Sequence, residues 1–332
     1  MRRLALAGCL LACAEWRLPP TFPRQAAGRP VIHEQALLGI SDAGDVAVAQ
    51  LLDADGQEPG LALLRFDRGG GPTRTLLAAP PERATAVAGR LRASGPQPVP
   101  LLAVLVAAEW PDGLAKAAEL GYARRPPADP EPGRARWRVN GAREAGALPL
   151  SLGLVEVTRP APAMALVLSD DADEVELARM PLAGAPLRPE LWIQGGIVWL
   201  LAGSVLPGEP LHRAVGVRRG SLARGEAELH NLHGLANYAA GELDAARREF
   251  ARAIAADPLY VEALYNAAST AALSDRAEEA VALLRRAAAV DPARVQVLGR
   301  NDEDLKSLRR RPDVRALLGL HRLPPEGVPP PP

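Results

Sequence analysis

Two stretches near the C-terminus repeat each other at a spacing of 34 residues: Asp257-Pro258 stands against Asp291-Pro292, Ala253 against Ala287, Phe250 against Leu284 and Ala246 against Ala280. Proline lacks an amide donor and clashes with the preceding turn, so each Asp-Pro pair marks a helix stop. Ahead of each stop, apolar residues recur at helical spacing. Self-similarity at this period marks a supersecondary unit that cannot bury its apolar face alone and must stack on a neighbour. The C-terminal third is therefore expected to be a short array of helical hairpins.

That period with those residue types resembles the tetratricopeptide repeat, a helix-turn-helix binding scaffold. In a first unit, residues 227–260, Gly234, Gly241, Ala246, Phe250, Ala253 and Pro258 fall on the family's signature positions. In a second, residues 261–294, Tyr265, Asn266, Ala268, Ala280, Leu284, Ala287 and Pro292 do so. His233 and Ala267 stand where the family prefers Leu, and Asn237 and Ala271 where it prefers Tyr. The resemblance implies that the first helix of each hairpin lines a concave groove, turning Glu228, Asn231, Leu235, Tyr238, Glu262, Tyr265, Ser269 and Ala272 toward a ligand. None of these is Lys or Arg, which argues against the cationic carboxylate clamp of chaperone-binding members. Tyr238 and Tyr265 are expected either to anchor a peptide or partner helix or to pack between helices. Solenoids normally need about three units and a capped end. Asp302-Glu303-Asp304-Leu305-Lys306-Ser307-Leu308 and the segment from Arg311 to Leu318 resemble such a terminator, with Leu305, Leu308, Val314 and Leu317 closing the last apolar face. Array and cap together are expected to span residues 223–323.

At the other end, Met1-Arg2-Arg3 leads into an apolar stretch and small residues ending in Leu10-Leu11-Ala12-Cys13, the charge and hydropathy order of an export signal. The segment resembles a bacterial lipoprotein signal, which implies cleavage before Cys13 and its lipidation. Leu6-Ala7-Gly8-Cys9 fits the lipobox pattern better but leaves only Leu4 and Ala5 as a hydrophobic region, so Cys13 is preferred. Several acyl chains hold a protein stably at a bilayer where one does not. Residues 1–12 are thus expected to be a signal peptide and residues 13–30, with Pro19, Pro20, Pro23 and Pro30, an extended tether. The implied location is the bacterial cell envelope, periplasmic or outer-membrane, with a cytoplasmic protein as the alternative.

Between these ends the pattern is mixed. Residues 31–125 show apolar runs after turn signals (Val46-Ala47-Val48 after Asp42-Ala43-Gly44-Asp45; 61–66 after Asp53-Ala54-Asp55-Gly56), the mark of hairpins. Residues 80–93 and 112–120 read as helices and 99–107 as a buried strand. The prolines in residues 126–134 make a linker or long loop. Residues 135–222 offer successive short strands, consistent with an antiparallel sandwich or small barrel, and residues 324–332 form a Pro-rich tail. The fold class expected is α+β: a β-rich N-terminal region with mixed or antiparallel sheets, then an all-α array.

Chemistry is sparse. The chain of 332 residues has a formal net charge of zero, and its basic side chains other than Lys116 and Lys306 are all Arg. With no basic excess to neutralise phosphates, nucleic acid is not an expected partner. His230 and His233 stand three apart on one helix and with His212 could approach a metal, but no acidic or Cys ligand is apparent from the sequence, so no metal or other cofactor is expected. Asp170-Asp171-Ala172-Asp173-Glu174 lacks the Gly and distal Glu of a calcium loop and reads as a hairpin turn. Gly69-Gly70-Gly71-Pro72 is followed by no Gly-Lys-Ser/Thr, and no nucleophile elbow is present. No catalytic residue is assigned. The function expected is a protein-binding adaptor or scaffold tethered to the bilayer. The alternative is an envelope enzyme or ligand-binding protein whose site lies in the β-rich region, with the repeats used for docking.

Overall fold

The computed structural model describes residues 32–53, 58–67, 72–93, 101–105, 110–122, 136–138, 150–157, 161–182, 185–187, 189–205 and 213–320. Cys13, the signal and tether segments, the Pro-rich linker at 126–134, His212 and the tail lie outside the described residues.

Strands β1 (Ile32–Ile40), β2 (Val46–Asp53), β3 (Gly60–Phe66) and β4 (Pro72–Ala78) form an antiparallel meander. The first turn closes where the signal Asp42-Ala43-Gly44-Asp45 stands, with Gly44 at φ 85°, a value that L side chains rarely adopt. Three helices follow, α1 (Pro81–Ala93), α2 (Leu101–Val104) and α3 (Pro111–Glu119). The strand expected at 99–107 is instead helical over its described part. A continuous apolar run fits a buried helix as well as a strand, and Leu101, Val104 and Leu105 are buried against one face of the meander together with Ala36, Leu38, Ala47, Ala49, Leu51, Leu61 and Leu63.

Beyond the linker lie β5 (Arg136–Arg138), β6 (Ser151–Val157), β7 (Ala163–Ser169), β8 (Glu174–Pro181), β9 (Ala185–Pro186), β10 (Glu190–Gln194), β11 (Ile197–Val205) and β12 (Arg213–Ser221). Strands β5 to β8 make a four-stranded antiparallel sheet. Strands β10 to β12 do not stay with it: β12 pairs in parallel with β1, giving one larger sheet in the order β10-β11-β12-β1-β2-β3-β4, with β9 beside β11. The segments read separately as residues 31–125 and 135–222 thus share a sheet. Gln35 locks the seam, accepting a hydrogen bond from the Val217 amide at 2.9 Å while its Nε2 donates to Gln50 Oε1 at 2.7 Å. Leu37, Val46, Val48 and Phe66 pack with Trp192, Trp199 and Val217. Alternate residues of β10 and β11, namely Leu191, Val198, Leu200 and Ala202, bury against Leu152, Leu166, Leu168 and Met180 of the smaller sheet. The β-rich region is therefore two sheets in face-to-face contact, the layered arrangement that alternating burial demands.

The last strand runs straight into helices. Ser221 ends β12 and caps α4 (Leu222–Ala239), its hydroxyl accepting from the Arg224 amide at 3.3 Å. Helices α5 (Leu243–Ala256), α6 (Val261–Leu273) and α7 (Ala277–Val290) complete two hairpins, α4/α5 and α6/α7. Asp257 and Asp291 end α5 and α7, and Pro292 opens α8 (Pro292–Gly299), as the Asp-Pro stops require. A 3-10 turn (Glu303–Leu305) and α9 (Pro312–Leu317) close the end, where Leu305, Leu308, Val314 and Leu318 are buried against α6 and α7. The array is mounted directly on the sheets: Leu229 of α4 belongs to the inter-sheet core, and Gly225 lies against Leu168 and Leu177. The chain is thus α+β, with sheets first and helices last.

Candidate functional site

Helices α4 and α6 are the first members of their hairpins. Their common face carries the residues expected to line a groove, but most of them are already engaged within the chain. At one end Arg224 is a hub. Its Nε donates to Glu228 at 2.9 Å, its Nη1 to Asp257 at 3.3 Å, its Nη2 lies 3.7 Å from Glu262, and the guanidinium stacks 3.8 Å from the Tyr260 ring centroid. Glu262 also takes the Arg294 Nε at 2.9 Å. Burial raises the Glu228 carboxyl despite its bond to Arg224. In the middle, Asn231 is buried and accepts from Asn266 Nδ2 at 2.8 Å, tying α4 to α6.

At the other end the face holds a piece of the chain's own terminator. Asp302 Oδ2 accepts from the Tyr265 hydroxyl at 2.5 Å and from the Ser269 hydroxyl at 3.1 Å. Asp304 Oδ2 accepts from the Tyr238 hydroxyl at 2.6 Å. Asp302 Oδ1 meanwhile accepts the Asp304 amide at 3.0 Å, which fixes the turn that presents both carboxylates. Tyr265 and Ser269 are buried beneath it, whereas Leu235 and Tyr238 stay half-buried. The expected groove residues are therefore brought together, but not as a bare aromatic surface. The face is a set of neutral hydroxyl donors holding two carboxylates. Sequence reasoning placed Asp302 and Asp304 in the terminator and missed them as partners of the tyrosines, because separations of 66 and 37 residues leave no local signal.

Both phenols are pushed above their ordinary value of 10.0, first by burial and then by the carboxylates they donate to, since a phenolate facing a carboxylate is repelled. Asp304 is also raised, mainly by burial, with Asp302 and Glu303 adding repulsion and the Tyr238 bond opposing. The sign is the same for both tyrosines. Folding raises the phenol, so the stability it contributes is intact below pH 10.0 and is lost as pH climbs past it. In a spectrophotometric titration near 295 nm, Tyr238 and Tyr265 should ionise late, together with unfolding, and Tyr238→Phe/Tyr265→Phe should shrink that late step to the share of Tyr122, which burial also raises. Ordinary ionisation of both in the folded chain would contradict the geometry.

A second cluster lies on the opposite side of α4, toward α5 and the β7–β8 turn. His230 Nδ1 is 2.8 Å from Glu249 Oε2, and one ligand atom each from His230, His233 and Glu249 lie within 4.8 Å of one another. Glu249 is the acidic group that the sequence did not bring to the histidines; it arrives from the neighbouring helix. Asp170 to Asp173 form the expected hairpin turn, with Asp170 Oδ1 accepting the amides of Ala172 and Asp173 at 2.8 Å. Among the described residues, no helix is long and apolar enough to cross a membrane. Compared with known proteins, the chain matches no protein-family model, and no curated protein is significantly similar to it.

Proposed function

We propose that the chain is an adaptor of the tetratricopeptide-repeat kind, tethered to the bacterial cell envelope through a lipid on Cys13, whose helical face recognises an acidic segment of another protein. One observation carries this reading. Residues from two consecutive hairpins, Tyr238 from the first and Tyr265 and Ser269 from the second, converge on the carboxylates of a single short segment, Asp302 to Asp304. That is what a peptide-binding groove does. Here the segment is the chain's own, so a partner carrying carboxylates at a similar spacing would compete with it. The short sheet-to-helix junction supports the same reading, because it gives the face a fixed direction relative to the sheets. No reaction is assigned.

Truncation at Leu222 is an unsuitable test, since Leu229 sits in the inter-sheet core and its loss would uncover that core. Site-specific photocrosslinking in the full-length chain avoids this. A photoreactive residue at Leu235, on the groove face, should give a discrete adduct in envelope fractions. The same residue at Leu259, an exposed loop position, should not. Equal adducts from both positions, or none from Leu235, would remove the groove assignment. In the same fractions Cys13→Ser should shift the chain from membrane to soluble material; unchanged fractionation would sink the anchor while leaving the groove reading standing.

A further inference from the structure

We propose that His230, His233 and Glu249 bind one divalent transition-metal ion, with zinc the best chemical fit, at the seam between the first helical hairpin and the β7–β8 turn. This site is separate from the groove and does not depend on it.

The ligand geometry comes from rigid elements. His230 and His233, three apart on α4, project from one side of the helix, and their rings stand edge to face with centroids 6.4 Å apart. Glu249 comes from α5, which is held against α4 one turn away by the close contact of Gly234 with Phe250. A tetrahedral ion with bonds of about 2.0–2.1 Å separates its ligand atoms by roughly 3.3–3.4 Å. The three ligand atoms already lie within 4.8 Å of one another, and the His230–Glu249 pair is at 2.8 Å, so side-chain rotation suffices to enclose an ion. All three residues are largely withdrawn from solvent: side-chain exposures are 10% for His230, 21% for His233 and 15% for Glu249.

An outer shell is also in place. Arg252 Nη1 donates to Glu249 Oε1 at 2.6 Å, restraining the carboxylate and leaving Oε2 turned to His230. Two further carboxylates, Asp170 Oδ2 and Asp173 Oδ2, each lie 3.3 Å from His233 Nε2. Metal-bound imidazoles are generally oriented by such carboxylates. Asp170 adds a separate indication. Its side chain is 1% exposed, and its Oδ2 is a buried atom without a hydrogen bond. His233 Nε2, next to it, is likewise buried and without one. Two buried polar atoms 3.3 Å apart that form no hydrogen bond are costly and call for a physical cause. A cation on the imidazole supplies one, because it fixes the ring and draws the aspartate in as its acceptor.

The donor set selects the ion class. Two imidazoles and one carboxylate suit zinc and its transition-metal neighbours, whereas calcium and magnesium require shells dominated by oxygen. Three protein ligands leave a fourth position for water or a nearby carboxylate. Because the ligands span α4 and α5 and the outer shell belongs to the β7–β8 turn, an ion here would staple the helical array to the smaller sheet.

The test uses the full-length chain carrying Cys9→Ser and Cys13→Ser, which removes its only two cysteines and hence any thiolate site. Equilibrium dialysis should give one zinc per chain, cobalt should give visible d–d absorption bands, and the thermal midpoint should rise with zinc and fall back with EDTA. Excess calcium or magnesium should not displace the ion. His233→Gln and Glu249→Gln should each abolish stoichiometric binding while the circular dichroism in EDTA stays that of the parent; Glu249→Gln can still accept from His230 and serves as the folded control. Asp170→Asn should weaken affinity by roughly 10–100-fold. Substoichiometric zinc in the parent, or full binding in the His233→Gln/Glu249→Gln double variant, where His33, His212 and His321 remain, would overturn the proposal.

Discussion

Phe250→Ala should destabilise the helical array by about 3–5 kcal/mol, the range for emptying a fully buried aromatic site. Phe250 is 1% exposed and packs with Ala246 and Ala267, while Leu235, Tyr238, Ile254 and Leu283 border it. Its ring also lies over Gly234 of α4, where an added Cβ would stand 2.4 Å from the ring edge. That contact yields a prediction of sign. In a helix interior alanine is favoured over glycine by about 1 kcal/mol, but overpacking against a ring costs about 1–3 kcal/mol. Gly234→Ala should therefore destabilise the parent chain. In a Phe250→Ala background the obstruction is gone, and the same substitution should stabilise. Urea unfolding followed by far-ultraviolet circular dichroism, with hydrogen exchange of the α4 and α5 amides, measures both. A loss below about 1 kcal/mol for Phe250→Ala, or a Gly234→Ala effect of the same sign in both backgrounds, would show that the hairpin is not held by this contact.

The same pair shows what could be read from sequence. Gly234 and Phe250 were legible because a repeat states each helix twice, and Asp257-Pro258 and Asp291-Pro292 punctuate it. Most strands of the β-rich region were legible as apolar runs between turn signals. Their pairing was not. Nothing in residues 31–40 or 213–221 announces that β1 and β12 lie side by side in parallel, because a non-local pairing leaves no trace in either strand's own alternation. The misread segment at 99–107 failed for a different reason: an apolar run of that length has the same pattern in a buried strand and a buried helix.

The candidate sites divide along the same line. The expected groove residues came from the repeat resemblance, and helical spacing agrees only in putting Glu228, Asn231, Leu235 and Tyr238 on one side of α4 and Glu262, Tyr265 and Ser269 on one side of α6. What occupies that face could not be read, because Asp302 and Asp304 reach it only after α7 and α8 have folded back. Glu249 likewise meets His230 only through the packing of α5 on α4. Local spacing reveals which residues share a helix face; it does not reveal which distant acid completes a site.

Asp302→Ala/Asp304→Ala should raise the yield of the Leu235 crosslink to its partner by about tenfold or more, because each 1.4 kcal/mol removed from the self-occupied arrangement is worth a factor of ten in groove accessibility. The variant deletes the three hydrogen bonds that the Tyr238, Tyr265 and Ser269 hydroxyls make to carboxylates, together with the Asp302 bond to the Asp304 amide. Such bonds are worth about 1.5–3 kcal/mol each before the relief of desolvation and repulsion is set against them. That relief is real here, as the raised Asp304 carboxyl indicates, so the net weakening is smaller than the sum. Leu305 stays buried against α6 and α7, keeping the terminator attached while its acidic edge lets go. Asp302→Asn/Asp304→Asn separates occupancy from charge. The amides still offer an oxygen to Tyr238 and Tyr265, so this variant should keep the groove closed and leave the crosslink near the parental level. Equal yields from parent and alanine variant would mean that the partner does not use this face. A fall in the alanine variant alone would mean that the acidic turn is part of the recognition surface rather than its competitor.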